Sequence, residues 1–150
     1  MAKRIVIKTN GVIEVREFKQ GANPPSLFEL QQEVRGLIEV VHPKGLPSPY
    51  CFVCNEEGII RGFEENLLGT CLYQAHGYFI AGNIVILKTA LTSEGPDIVG
   101  LNDRDIDILL PLLAKKNIEM LSFCTNRVFE SYEKTLTEYK KALERCGVNG

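Results

Sequence analysis

Four residues in the middle of the chain have the chemistry to hold an anion: Tyr50, Asn55, Arg61 and Lys88. Arg61 and Lys88 are the only cations between residues 45 and 103, and a guanidinium or ammonium makes charge-assisted hydrogen bonds to phosphate oxygens. Tyr50 shares a strand face by parity with Phe52, follows a proline-rich loop and offers a ring for stacking. Asn55 adds a hydrogen-bonding amide. A structural reading stands beside each assignment: Tyr50 and Phe52 as core, Arg61 and Lys88 as exposed strand residues paired with nearby glutamates.

Signals for catalysis or metal binding are weaker. Cys51-Phe52-Val53-Cys54 has CxxC spacing, but metal and redox sites of that spacing use a knuckle or a helix N-terminus. On a strand, positions 51 and 54 point to opposite faces. Cys71, Cys124 and Cys146 form no second pair, and His42 and His76 have no ligand spacing. Glu56-Glu57 and Glu64-Glu65 are read as wet carboxylates, since nothing adjacent would desolvate and tune one of them. The chain has no Gly-x-Ser-x-Gly, His-Glu-x-x-His or Walker-type motif. No catalytic residue, metal or cofactor is therefore assigned.

The bulk properties are those of a globular chain: 150 residues, 45% hydrophobic, 24% charged, net charge −2 and mean hydropathy −0.02. That balance lacks the basic excess of a nucleic-acid binder. Residues 54–114 hold three basic and nine acidic residues, an acidic stretch open to a basic partner or to solvated turns and helix starts. The longest apolar candidate, Tyr78 to Leu87, is too short to span a bilayer. The basic start leads into only three apolar residues, which is no secretory signal. Five cysteines, an odd number, fit a reducing cytoplasm.

The elements that must position these residues follow from pattern. Arg4 to Lys8 and Val12 to Phe18 flank Thr9-Asn10-Gly11, an Asn-Gly hairpin signal, with Ile13 and Val15 as the apolar face of the second strand. The prolines of residues 20–25 end that ladder. Ser26 to Glu29 has capping-box spacing and opens a helix to about residue 35, with Gly36 as its stop. Leu37 to Val41 reads as a strand, Pro43 to Pro49 as a loop, and Tyr50 to Asn55 with Ile59 to Phe63 as a second hairpin around Glu56-Glu57-Gly58. A short helix is expected over 66–76, and a long strand over 78–91 with a bulge or turn at Gly82-Asn83. A loop follows from 92 to 100. Two C-terminal helices are expected, one from Asn102 and a long one over 117–146. The latter carries Leu121, Val128, Tyr132, Leu136, Tyr139 and Leu143 near heptad spacing. The expected fold class is α+β, a mainly antiparallel sheet with one packed helix, in a domain over 1–100 with a helical appendage over 101–150.

Residues 26–41 (SLFELQQEVRGLIEVV), Cys54 to Gly58 (CNEEG) with Gly62 beyond, Asn66 to Thr70 (NLLGT) and Ala81 to Ile86 (AGNIVI) occur in that order. Together, over about residues 5–90, they resemble a family of bacteriophages, plasmids and their low-GC Gram-positive hosts, the domain of unknown function three-eight-four-six. Arg35-Gly36-Leu37 and Gly82-Asn83 depart slightly from that family's pattern. The resemblance implies an accessory protein of a mobile element, acting against a host defence, and assigns no catalytic residue. With it, the sequence gives the expectation of a cytoplasmic, non-enzymatic protein that sequesters a small anionic, nucleotide-like ligand and self-associates through its last helix. The alternatives are a protein-binding inhibitor of a host factor and a small unrecognised hydrolase.

Overall fold

The computed structural model describes residues 2–19, 26–75 and 77–145, with side chains of the last helix given through 122 and at 137, 138, 140, 141, 144 and 145. Six strands form one antiparallel sheet. Strands β1 (Lys3–Ile7) and β2 (Ile13–Glu17) make the opening hairpin, with Ile7 opposite Ile13. Its turn is closed by Lys8 N–H to the Val12 carbonyl at 2.9 Å, and Gly11 sits at φ 87°, where a side chain would be strained. Then come α1 (Leu27–Val34), β3 (Ile38–Val41), β4 (Tyr50–Asn55), α2 (Leu67–Tyr73), β5 (Ile84–Thr92), β6 (Gly95–Val99) and α3 (Asp103–Arg145). The sheet order is β2-β1-β5-β4-β3, with β6 also pairing β5. The α+β class expected from the sequence is the observed one.

Both faces of the sheet are dry. On one, Val6, Cys51, Val53, Val85 and Leu87 pack with Phe18 and with Leu30 and Val34 of α1. By strand alternation the other face carries Ile5, Ile7, Phe52, Ile84 and Ile86, all fully buried. Helix α2 lies over it, so close that a Cβ on Gly69 would stand 3.2 Å from Ile84 Cδ1. Asn66, the N-cap of α2, clasps this layer: its Oδ1 accepts the Gly69 N–H at 2.9 Å, and its Nδ2 donates to the carbonyls of Ile7 (2.9 Å) and Gly82 (3.0 Å).

Several expectations are corrected. Residues 59–63 form no strand: residues 56–62 make one compact turn, and β4 takes β3 and β5 as its neighbours. Residues 95–99 are strand β6 rather than loop, because Pro96 sits on an outer strand where a missing donor is tolerated. Strand β5 starts at Ile84 rather than near 78. The C-terminal helix pair is absent from the described residues. Instead α3 is one helix with Pro111 inside it, since residues 114–117 (AKKN) contain no breaker. The chain divides into compact units 1–116 and 117–150, and the first turns of α3, where Leu109 and Leu113 are fully buried, fall in the first. Among the described residues no helix is long and apolar enough to cross a membrane. The prolines of 20–25, His76 and Cys146 lie outside the described residues, as do the side chains of the heptad pattern beyond Leu121.

The register also inverts the expected faces of β2. Val6 pairs with Glu14 and Arg4 with Arg16, so the polar side of β2 is the one facing α1, while Val15 is 42% exposed. Polar residues suit that position because α1 brings Glu33 over it. Glu33 accepts from Arg4 Nη2 at 2.9 Å and from Arg16 Nη1 at 2.7 and 2.8 Å. Arg4, buried, also donates to the Glu17 carbonyl at 2.9 Å and lies 4.7 Å over the Phe18 ring. At the other end of α1, Ser26 Oγ accepts the Glu29 N–H, but the Glu29 carboxylate takes the Lys19 N–H and so completes no capping box.

Removing Glu33 leaves a buried guanidinium without its counter-charge. We expect Glu33→Ala to cost about 3 kcal/mol in denaturant unfolding, and Glu14→Ala, which removes a solvent-accessible partner of Arg16, to cost clearly less.

Candidate anion-binding cleft

The four residues singled out in the sequence fall into two groups at opposite ends of β4. Tyr50 and Lys88 are paired across β4 and β5, whereas Asn55 ends β4, about 17 Å away at strand rise, and there it meets Arg61.

Tyr50 and Lys88 converge on Asp105 in the first turn of α3. Tyr50 Oη donates to Asp105 Oδ1 at 2.8 Å, Lys88 Nζ to Oδ2 at 2.6 Å, and the Asn102 N–H to Oδ2 at 2.9 Å. Asn102 returns an N-cap, its Oδ1 accepting the Asp105 N–H at 2.9 Å. Burial would push the Asp105 carboxyl up, but the Asn102 N–H, Lys88 and Tyr50 outweigh it and hold the carboxyl below its usual range. Burial, then the adjacent carboxylate, pushes the Tyr50 phenol up to about 12. This group docks a helix on a sheet: the Tyr50 ring is core, with no open face for stacking, and the Lys88 charge is neutralised in place.

The other end of β4 is different. Helix α1 ends on Arg35, in the left-handed region at φ 65°, with its N–H on the Gln31 carbonyl. Asn55 Nδ2 donates to the Val34 carbonyl at 3.0 Å, and its Oδ1 accepts the Glu57 N–H at 2.8 Å. It thereby ties the helix end to the turn after β4. That turn is closed by Arg61 N–H to the Glu57 carbonyl (2.9 Å) and Phe63 N–H to the Gly58 carbonyl (3.0 Å), which carries Arg61 back to α1. Arg61 Nη1 donates to the Arg35 carbonyl at 2.8 Å. The guanidinium carbons of Arg61 and Arg35 lie 5.1 and 5.7 Å from the centre of one ring, Phe63, within cation–π range.

Neither arginine forms an ion pair among the described residues. Arg61 borders a cleft of about 270 Å³ with Gln31, Gly36, Leu37, Asn55 and Glu57. Arg35 borders a hollow of about 390 Å³ that also includes Phe63. Gly36 keeps the first open: a Cβ there would stand 2.7 Å from Asn55 Nδ2 and 2.8 Å from Arg61 Nη1. Glu57 lines the first and Glu64 the second, but neither is ion-paired to the arginine beside it, so two guanidinium forks close to one ring can receive a phosphate or carboxylate.

A family model described as a domain of unknown function, DUF3846, matches residues 2–114. The chain belongs to this family. The DUF3846 match runs past the 5–90 of the sequence resemblance to take in β6 and the first turns of α3, so the Asp105 group and the arginine cleft both lie within it. No curated protein and no solved structure matches the chain.

Sequence reasoning found Arg61 and Asn55 but missed Arg35, Gly36 and Phe63. Arg35-Gly36 read only as a helix stop, and Phe63 as a strand residue. The two cysteines of the CxxC do point apart: Cys51 packs under α1, and Cys54 is buried on the other face. Burial pushes Cys51 up to about 11 and, with the Glu39 charge adding to it, Cys54 up to about 12. Among the described residues no group of three or more His, Cys, Asp or Glu side chains is placed to hold a metal ion.

Because the folded Asp105 pKa lies below its unfolded value, the stability it contributes is full above about pH 4 and is lost as pH falls through the depressed folded pKa. We expect Asp105→Asn to lose about 2 kcal/mol at neutral pH and to show a flatter loss of stability below about pH 4, as measured by denaturant titrations across a pH series.

Proposed function

We propose that this protein binds and sequesters a small anionic ligand of nucleotide type in the cleft at the end of α1. One observation carries the reading: Arg35 and Arg61, without ion-pair partners among the described residues, converge on the Phe63 ring. The two guanidiniums pair with phosphate. Gln31 and Glu57 offer a donor and acceptors to the polar edge of a base, while Asn55 fixes the turn that presents Arg61. Tyr50 and Lys88 are occupied by Asp105 and take no part. Sequestration needs a concave site and cations but no activated nucleophile. In this reading the protein is a non-enzymatic accessory of a mobile element that withdraws a nucleotide signal from a host defence, and copies associate through the 117–146 segment.

The test is calorimetric titration with a panel of linear and cyclic nucleotides, followed by heat denaturation and recovery of the ligand. We expect at least one nucleotide to bind and to be recovered intact. Arg61→Ala and Arg35→Ala should each weaken it by about 1.5–3 kcal/mol, the range for hydrogen bonds to charged groups, with little change in the thermal midpoint. Lys88→Ala should lower the midpoint and leave affinity unchanged. No heat with any nucleotide, or equal affinity in the arginine variants, rejects the reading.

Gly36→Ala gives an independent check. The added methyl must displace Arg61 or Asn55, so affinity should fall by about tenfold, as expected when a charge-assisted contact is lost.

A further inference from the structure

We propose that the groove beside β3 receives an extended segment of a partner protein in which basic and apolar residues alternate, added to the sheet as a further strand. The two outer strands of the main sheet path are treated differently. Strand β2 carries Glu14, Arg16 and Glu17, with Arg16 and Glu14 tied into ion pairs, the kind of charged edge that resists pairing. Strand β3 (IEVV) has one charge, Glu39, and pairs on one side only, with β4. Alternate N–H and C=O groups of its other side are thus free to bond an added strand.

Next to that edge lies a groove of about 350 Å³, lined by Glu39 and Val41 of β3, the 56–60 turn and residues 78–81. Its apolar surface is open to solvent: Ile59 is 56% exposed, Ile60 87%, Tyr78 69% and Phe79 41%. A cluster of this kind marks an interaction surface. Its charged lining residues are Glu39, Glu56 and Glu57, with no cation among the lining residues and no ion pair to any of the three among the described residues.

Charge chooses the occupant. A second copy pairing through the same edge would be related by a two-fold axis and would set this acidic rim against itself, with like charges across strands. A segment presenting lysine or arginine to the three carboxylates and apolar side chains to Ile59, Ile60, Tyr78 and Phe79 satisfies both features. This surface shares only Asn55 and Glu57 with the arginine cleft, and the proposal stands whether or not a nucleotide binds there.

The test uses labelled decapeptides in which Val alternates with Lys, Ser or Glu, titrated against the full chain by fluorescence anisotropy. The Val/Lys peptide should bind at least about tenfold more tightly than the Val/Glu peptide at moderate salt. Methylating its alternate backbone nitrogens should abolish binding, and Ile60→Asp should weaken it by at least about fivefold. Ile60→Asp should keep the thermal midpoint, since Ile60 is 87% exposed. Binding indifferent to peptide charge, to N-methylation or to Ile60→Asp overturns the proposal, as does no binding of any peptide. A dimer in sedimentation that Ile60→Asp dissolves overturns it in favour of self-association.

Discussion

Strand β4 has no wet side. All six of its residues, Tyr50 to Asn55, are buried, although an antiparallel sheet can usually leave one face to solvent. Both faces of the central strands must therefore be covered. The short helix α1 covers one, and α2 with the first turns of α3 covers the other. Covering β4 also decides where α1 stops: the helix ends over Asn55, whose amide takes the Val34 carbonyl. The cleft lies where this cover runs out.

Charged groups divide along the same line. Those at the helix–sheet contacts are closed sets. Glu33 is saturated by Arg4 and Arg16, and Asp105 by Lys88, Tyr50 and the Asn102 N–H, each set spanning a helix and a strand. The open charges gather around the 55–62 turn, Arg35 and Arg61 toward one side and Glu39 and Glu56 toward the other, with Glu57 bordering both. The closed sets and the open charges thus use the same residue types, and satisfied hydrogen bonding separates them.

How much of this was legible in the sequence depended on whether the signal was local. The Asn10-Gly11 turn, the stop at Gly36 and the Asn102 cap act through neighbouring backbone and were read correctly. Ile59-Ile60 has strand composition but no free strand edge to join, and only the sheet order reveals that. Pro96 hid β6 because its tolerance depends on being at an edge. The apolar side of β2 was misassigned because alternation shows that two faces differ but not which one a helix will cover, and a glutamate 17 residues beyond Arg16 made the polar side the inner one. The arginine cleft was half legible. Arg61 stands out in a stretch poor in cations, but Arg35 and Phe63 join it only through the α1 terminus and a turn whose composition predicts a hairpin.

The Asn66 clasp makes its position one where an amide and a carboxylate of the same shape are not interchangeable. Its carboxamide faces one donor and two acceptors, and all three of its hydrogen-bonding functions are in use. A carboxylate in its place would differ by only one heavy atom, yet it would turn the two donated bonds into contacts between a negative charge and the Ile7 and Gly82 carbonyl oxygens, in a buried site. An aspartate at this position would loosen the end of β1 from α2 and from the approach to β5 without any change in side-chain size.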